Sequence, residues 1–173
     1  MIIMKRHVFD LDNTLIYTDS LNNDSYNYAL NQLGLASIND YKRITRNIVF
    51  SKYQDLNNVQ KNEIIALKQK YFVNNLKTTL PNTLLLQLLE AQNVELCVLW
   101  TSAEEARVIA ILEHYKICNA FKKIIFSSKA ELIQDIERIC EILECSFEHL
   151  IFYEDNKRVI QDLQQLNLNV ISV

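Results

Sequence analysis

The chain is nearly devoid of glycine and proline: Gly34 and Pro81 are the single occurrences in 173 residues. That scarcity excludes the glycine-rich phosphate loops of the Walker and dinucleotide-binding types, so any phosphate must be held another way. Long apolar runs are missing as well, and none approaches the roughly 18 residues of a membrane span. Positive charge is not in excess. Eighteen Lys and Arg face 21 Asp and Glu, a net charge of −3, which argues against a general nucleic-acid or membrane-surface binder. Cys97, Cys118, Cys140 and Cys145 form no C-x-x-C pair and have no histidine cluster beside them. Reduced thiols are therefore expected rather than a metal or disulfide role. His7, His114 and His149 are scattered. The opening "MIIMKRHVFDLD" puts its basic pair behind the first apolar residues and acids directly after. It does not read as a signal peptide, and a cytoplasmic protein is expected.

What is present is ordinary for a globular chain, with 49% hydrophobic and 23% charged residues. The length allows one core with a small insert. A strand is expected near Lys5 to Asp10. A polar, helix-prone region follows from Tyr17 to Thr79, with helical stripes in "SYNYALNQLGL" and "NEIIALKQKYFVNNL". From Pro81, which suits a helix start, helices and apolar strands alternate: "LPNTLLLQLLEAQN", "VELCVLWTS", "AEEARVIAILEHY", "KKIIFSS", "KAELIQDIERICEIL", "HLIFYEDN", "RVIQDLQQL" and "NVISV". Such alternation implies right-handed crossovers and a parallel sheet, with ligands at the carboxyl ends of the strands.

Four of those ends carry reactive side chains. Asp10 and Asp12 stand two apart, so both can face one site. Two close carboxylates repel unless a cation or proton lies between them, and hard oxygen ligands suit magnesium. Thr101 ends "ELCVLWT" with a hydroxyl that can donate to a phosphate oxygen; capping the next helix is its bland role, which Ser102 could fill instead. Lys129 is expected to begin a helix, where a cation opposes the dipole, which hints at an anionic partner. Lys122 and Lys123 are expected to precede the strand, at its far end. Glu154 and Asp155 follow "LIFY"; capping by Asp155 is the bland role, but two buried acids beside two more favour a metal.

These segments resemble the haloacid dehalogenase superfamily of phosphatases. "DLDNTL" is similar to its D-x-D-x-T motif, and Thr101 in "VLWTS", Lys129 in "SSKAEL" and the acids of "FYEDN" to its second, third and fourth motifs. The resemblance implies a Rossmann-like α/β core, a five-stranded parallel sheet flanked by helices, over residues 1–16 and 80–173. It implies a small all-helical cap inserted after the first strand at 17–79. It also implies roles: Asp10 as nucleophile, Asp12 as general acid and base, Thr101 and Lys129 as phosphate ligands. Magnesium would sit on the Asp10 carboxylate, the Asp12 carbonyl and Asp155. Glu154, adjacent along the strand and so expected to face away, would act through a water or by hydrogen-bonding a ligand rather than by touching the metal.

The insert is charged differently from the rest. Residues 17–79 hold eight Lys and Arg against five Asp and Glu, while the remainder carries a net −6. A basic lid suits an anionic substrate. Ser102 and the cluster Lys42, Arg43 and Arg46 are the candidate substrate contacts, with Tyr26, Tyr28, Tyr53 and Tyr71 as candidate pocket lining. The expected activity is magnesium-dependent hydrolysis of a small phosphorylated metabolite, such as a sugar phosphate, phosphoglycolate or nucleotide monophosphate, with neither nucleic acid nor membrane as partner. A phosphomutase and a catalytically silent binding protein are the alternatives.

Overall fold

The structure, a computed structural model, describes residues 4–173; residues 1–3, at the head of the opening segment weighed above as a leader, lie outside the described residues. In chain order the strands are β1 (Arg6–Phe9), β2 (Ile16–Tyr17), β3 (Leu80–Pro81), β4 (Cys97–Thr101), β5 (Lys123–Phe126), β6 (Leu150–Glu154) and β7 (Asn169–Ser172). The helices are α1 (Asp19–Gln32), α2 (Arg46–Lys52), α3 (Asn58–Asn74), α4 (Thr83–Ala91), α5 (Glu105–His114), α6 (Leu132–Leu143) and α7 (Lys157–Gln165). The chain divides into two compact units. One runs to Ile16 and resumes over Pro81–Val173; the other is Tyr17–Leu80.

The first unit is built on a five-stranded, all-parallel sheet in the order β5-β4-β1-β6-β7. Its central strands are apolar on both faces, as a sheet covered on both sides requires. Going from β4 to β5 the chain moves outward from β1; it then returns across the sheet to β6 and continues to β7. Right-handed crossovers in these opposite senses put α6 and α7 on the face opposite α5. Packing agrees. Ile136, Ile139 and Leu143 of α6 and Val159 and Leu163 of α7 join Val8, Val98, Trp100, Ile125 and Phe152 in one buried cluster. Register explains which side chains share that face: Val8 lies opposite Val98 and Phe152 on its two neighbours. The alternate residues His7, Phe9 and Tyr153 stack together, with Phe9 and Tyr153 ring centroids 4.6 Å apart. The direction of the crossovers reverses around β1, so its carboxyl end opens on a topological switch point.

Asn82 ties the start of α4 to the loop after β1. Its N–H donates to the Leu15 carbonyl at 2.8 Å and its Nδ2 to the Thr14 carbonyl at 3.1 Å. It also caps α4 through the Leu85 N–H. Pro81 is thus not the helix start expected of it: it lies in β3, and the asparagine behind it does the capping. Lys123 is likewise inside β5 rather than before it. Lys122 does lie at the far end of that strand, pairing with Glu95 and Glu144.

The unit Tyr17–Leu80 is helical beyond its first and last residues. Its core is Tyr26, Ala29, Leu30, Ile38, Ile44, Val49, Leu56 and Ile64. The irregular stretch between α1 and α2 is held by asparagines rather than by backbone pairing. Asn27 accepts from the Ile38 N–H at 2.8 Å, Asn23 accepts from the Ile44 N–H at 2.7 Å, and Asn22 donates to the Ile44 carbonyl at 2.8 Å. Those contacts satisfy backbone groups that no ladder reaches. Asn57 and Gln60 form a capping box at the start of α3. Among the described residues, no helix is long and apolar enough to cross a membrane.

Phe152 shares one buried cluster with residues of α6 and α7 and lies against Trp100, edge to face at 5.7 Å. Phe152→Ala leaves a cavity the strand cannot close, so it costs about 3–5 kcal/mol of stability, read by urea denaturation; a loss below about 1 kcal/mol contradicts this packing.

Candidate active site

The loop after β1 is a tight turn built without glycine. Leu11 is fully buried and its carbonyl accepts from the N–H groups of Thr14, Leu15 and Ile16. Asn13 takes a left-handed conformation, φ 57°, which its short amide side chain tolerates. Asp10 continues the ladder, its N–H donating to the Tyr153 carbonyl at 3.0 Å. The turn brings the Thr14 hydroxyl to 2.9 Å from Asp10 Oδ2 and 3.4 Å from Asp155 Oδ1. Thr14 therefore fixes one oxygen of Asp10 and links β1 to the end of β6.

Lys129 fixes the other. Its Nζ lies 2.8 Å from Asp10 Oδ1 and 2.6 Å from Glu154 Oε2, and 4.4 Å from the centroid of the Trp100 ring. Lys129 does not begin a helix, as had been expected. It stands three residues before α6 in a left-handed conformation, φ 59°, a strained geometry for a long side chain. The Ser127 hydroxyl holds the turn, accepting from the Lys129 N–H at 3.0 Å while donating to Asp135. Asp135, in the first turn of α6, also accepts from the Trp100 indole at 3.0 Å. The platform beneath the ammonium and the turn that carries it thus share one carboxylate.

Glu154 is 2% exposed. Its Oε1 accepts from the N–H groups of Asp155 and Asn156, and Oε2 from Lys129. The expectation that adjacent acids must face apart fails here, because Glu154 is the last residue of β6 and Asp155 lies beyond it. Asp10, Glu154 and Asp155 offer carboxylate oxygens all within 4.8 Å of one another. Asn156 caps α7, accepting from the Arg158 and Val159 N–H groups, so Asp155 is not needed for that task.

This crowding is electrostatically uneven. Burial pushes the Asp10 carboxyl up to about 8; Lys129 opposes the rise, and Glu154 adds to it. Burial, with Glu154 beside it, also raises Asp155. Burial alone would lower Lys129, but Asp10 and Glu154 outweigh it and hold the ammonium above its ordinary value. Three carboxylates against one ammonium suit a hard divalent cation, for which oxygen donors of this kind are the fitting set.

The remaining expected residues are placed as follows. Thr101 is buried at the end of β4, next to β1, and its hydroxyl accepts from the Ala103 N–H at 3.2 Å. Ser102 is exposed beside it. Asp12 does not join the three-acid group; its Oδ1 pairs with Arg107 Nη2. Lys42, Arg43 and Arg46 belong to the unit Tyr17–Leu80. There Arg43 pairs with Asp19 at 2.6 Å, while Lys42 and Arg46 are exposed. The sequence places Thr14, Trp100 and Ser127 at strand ends without giving them a role, and it does not single out Asp135 or Arg107. Arg107 did leave a signal. It is a cation in the first turn of a helix, on the same stripe as Val108, Ile111 and Leu112, where an apolar residue belongs.

Residues 7–173 match the family model of haloacid dehalogenase-like hydrolases. Among curated proteins, none matches the chain by sequence. A Haemophilus somnus structure described as a predicted phosphoglycolate phosphatase is similar over 99% of this chain and 86% of its own, at 17% identity and a TM-score of 0.82. A haloacid dehalogenase hydrolase of family IA, variant 3, from Entamoeba histolytica matches over 98% and 84%, at 16% identity and 0.78. A predicted phosphatase from Clostridium acetobutylicum matches over 98% and 84%, at 19% identity and 0.67. At such identities these likenesses speak to the fold.

With Asp10 at about 8 against an ordinary 3.8, the folded protein in chelator keeps a proton that the unfolded chain has lost between those values. The stability this provides is fully present below about pH 4 and is lost as pH rises through about 8. Asp10→Asn removes the exchange, so the variant gains on the wild type by up to about 1.4 kcal/mol per pH unit across that window. Urea unfolding in chelator from about pH 5 to pH 8 measures it. A difference that does not change with pH contradicts the burial assigned to Asp10.

Proposed function

The chain belongs to the haloacid dehalogenase-like hydrolase family, and we propose that it is a magnesium-dependent phosphohydrolase acting on a small phosphate monoester. One observation carries the reading. The Asp10 carboxylate is gripped by Thr14 and Lys129 at the end of β1, with Glu154 and Asp155 close enough to share a cation with it.

In this reading Asp10 attacks phosphorus, forming an aspartyl phosphate as the ester P–O bond breaks. Asp12 gives its proton to the departing oxygen. It then takes one from the water that attacks the aspartyl phosphate, releasing inorganic phosphate and restoring Asp10. Lys129 and the Thr101 hydroxyl face the phosphoryl oxygens and offset the charge that develops there. Asp10, Asp155 and the Asp12 carbonyl would hold the magnesium, and Glu154 steadies the site through Lys129 and the 155–156 amides. Bound magnesium supplies Lewis-acid neutralisation of the phosphoryl group.

The unit Tyr17–Leu80 serves as the cap, with Lys42, Arg43, Arg46 and, from the core, Ser102 as contacts for the rest of the substrate. Small esters, such as a sugar phosphate, phosphoglycolate or a nucleotide monophosphate, are the proposed substrates. The description of the Haemophilus relative as a phosphoglycolate phosphatase keeps the second of these in the first panel to be assayed. A cytoplasmic location is part of the same proposal.

Purified protein is expected to hydrolyse p-nitrophenyl phosphate with magnesium and to stop in chelator. Asp10→Asn should lower turnover by a factor on the order of 10³ or more. A panel of small phosphate esters under the same conditions ranks the substrates. Turnover that survives chelator, or survives Asp10→Asn, overturns the proposal.

A further inference from the structure

We infer that Arg107 is a positioning residue of this reaction, holding the Asp12 carboxylate in place for proton transfer; the inference rests on the phosphohydrolase reading. The two acids of "DLD" have separate cationic partners. Asp10 is held by Lys129 from the loop before α6, and Asp12 by Arg107 from α5, 95 residues away in sequence. Each carboxylate is thereby directed to its own task, one to phosphorus and the other to the proton.

The placement of Arg107 is costly on every structural count. It is the third residue of α5, where a cation opposes the helix dipole. It is 5% exposed, on the buried stripe with Val108, Ile111 and Leu112. Burying a guanidinium against a carboxylate is on balance no more stabilising than an apolar residue of similar volume. Fold stability therefore does not account for an arginine at this position; the Asp12 carboxylate it meets does.

Arginine also suits the task chemically. A guanidinium is planar and carries N–H donors but no acceptor. It can orient a carboxylate without competing for the proton that carboxylate passes. Meanwhile the backbone of Asp12 is fixed by its bridge to Ile16 and by the neighbouring Asn13 N–H to Ile16 carbonyl bond at 2.6 Å. Main chain and side chain of the acid are thus held from two directions.

Phenyl phosphate and p-nitrophenyl phosphate, similar in shape, differ in how much their leaving oxygen needs a proton. If Arg107 positions the acid, Arg107→Met lowers kcat/KM for both but about tenfold more for phenyl phosphate, with KM little changed. Arg107→Lys keeps the charge without the planar fork and falls between. In an Asp12→Asn background, Arg107→Lys adds no further loss, since the residue acts through Asp12; this arm also stands should Arg107→Met fail to fold. Equal losses on both esters, or additive losses with Asp12→Asn, overturn the inference while leaving the phosphohydrolase reading intact. A wild type inactive on both esters with magnesium overturns the two together.

Discussion

An ammonium buried between two carboxyl groups anchors everything else in the site. Lys129 Nζ lies within 2.8 Å of Asp10 and 2.6 Å of Glu154, in surroundings where neither sign of charge is tolerated alone. Remove the ammonium, and two acids face each other in a low-dielectric pocket. Remove either acid, and its partner is left with less compensation for lost water. The left-handed backbone at Lys129, the Ser127–Asp135 bond beneath it and the Trp100 ring under the ammonium all serve to deliver one charge to one point. Strain of this kind persists where surroundings over-determine it, and here they include α6, β4 and β6.

That delivery depends on topology. Only at the reversal of strand order do the ends of β1, β4 and β6 lie side by side, so that Asp10, Thr101 and Glu154 can be neighbours though far apart in sequence. Asn82 extends the same logic to the loop after β1, tying its carbonyls to the start of α4. The turn carrying Asp10, Asp12 and Thr14 is therefore held by hydrogen bonds within it and from α4, although no glycine shapes it.

Much of this was legible in the sequence. Apolar runs of strand length bounded by acids or hydroxyls marked β1, β4 and β6, because a doubly covered parallel strand must be apolar throughout. The four strand ends followed from the alternation of elements. Other features left no pattern to read. Nothing about a lysine predicts a left-handed backbone, so Lys129 was assigned to a helix start. Asp155 and Asn156 are both good caps, and nothing in their residue types tells that the asparagine does the capping. Glu154 was read by strand alternation one residue past the point where alternation lapses. Arg107 sits among apolar neighbours whose helical periodicity hides its charge.

The account is tested most directly by asking where phosphorus goes. The protein is mixed with magnesium and excess p-nitrophenyl phosphate, quenched in acid within the first turnovers, digested and examined by mass spectrometry. One phosphoryl group on the peptide containing Asp10, absent from Asp10→Asn, is the predicted result. A phosphoryl group on any other residue, or hydrolysis that proceeds with Asp10 never labelled, contradicts the central role given to the carboxylate that Lys129 holds.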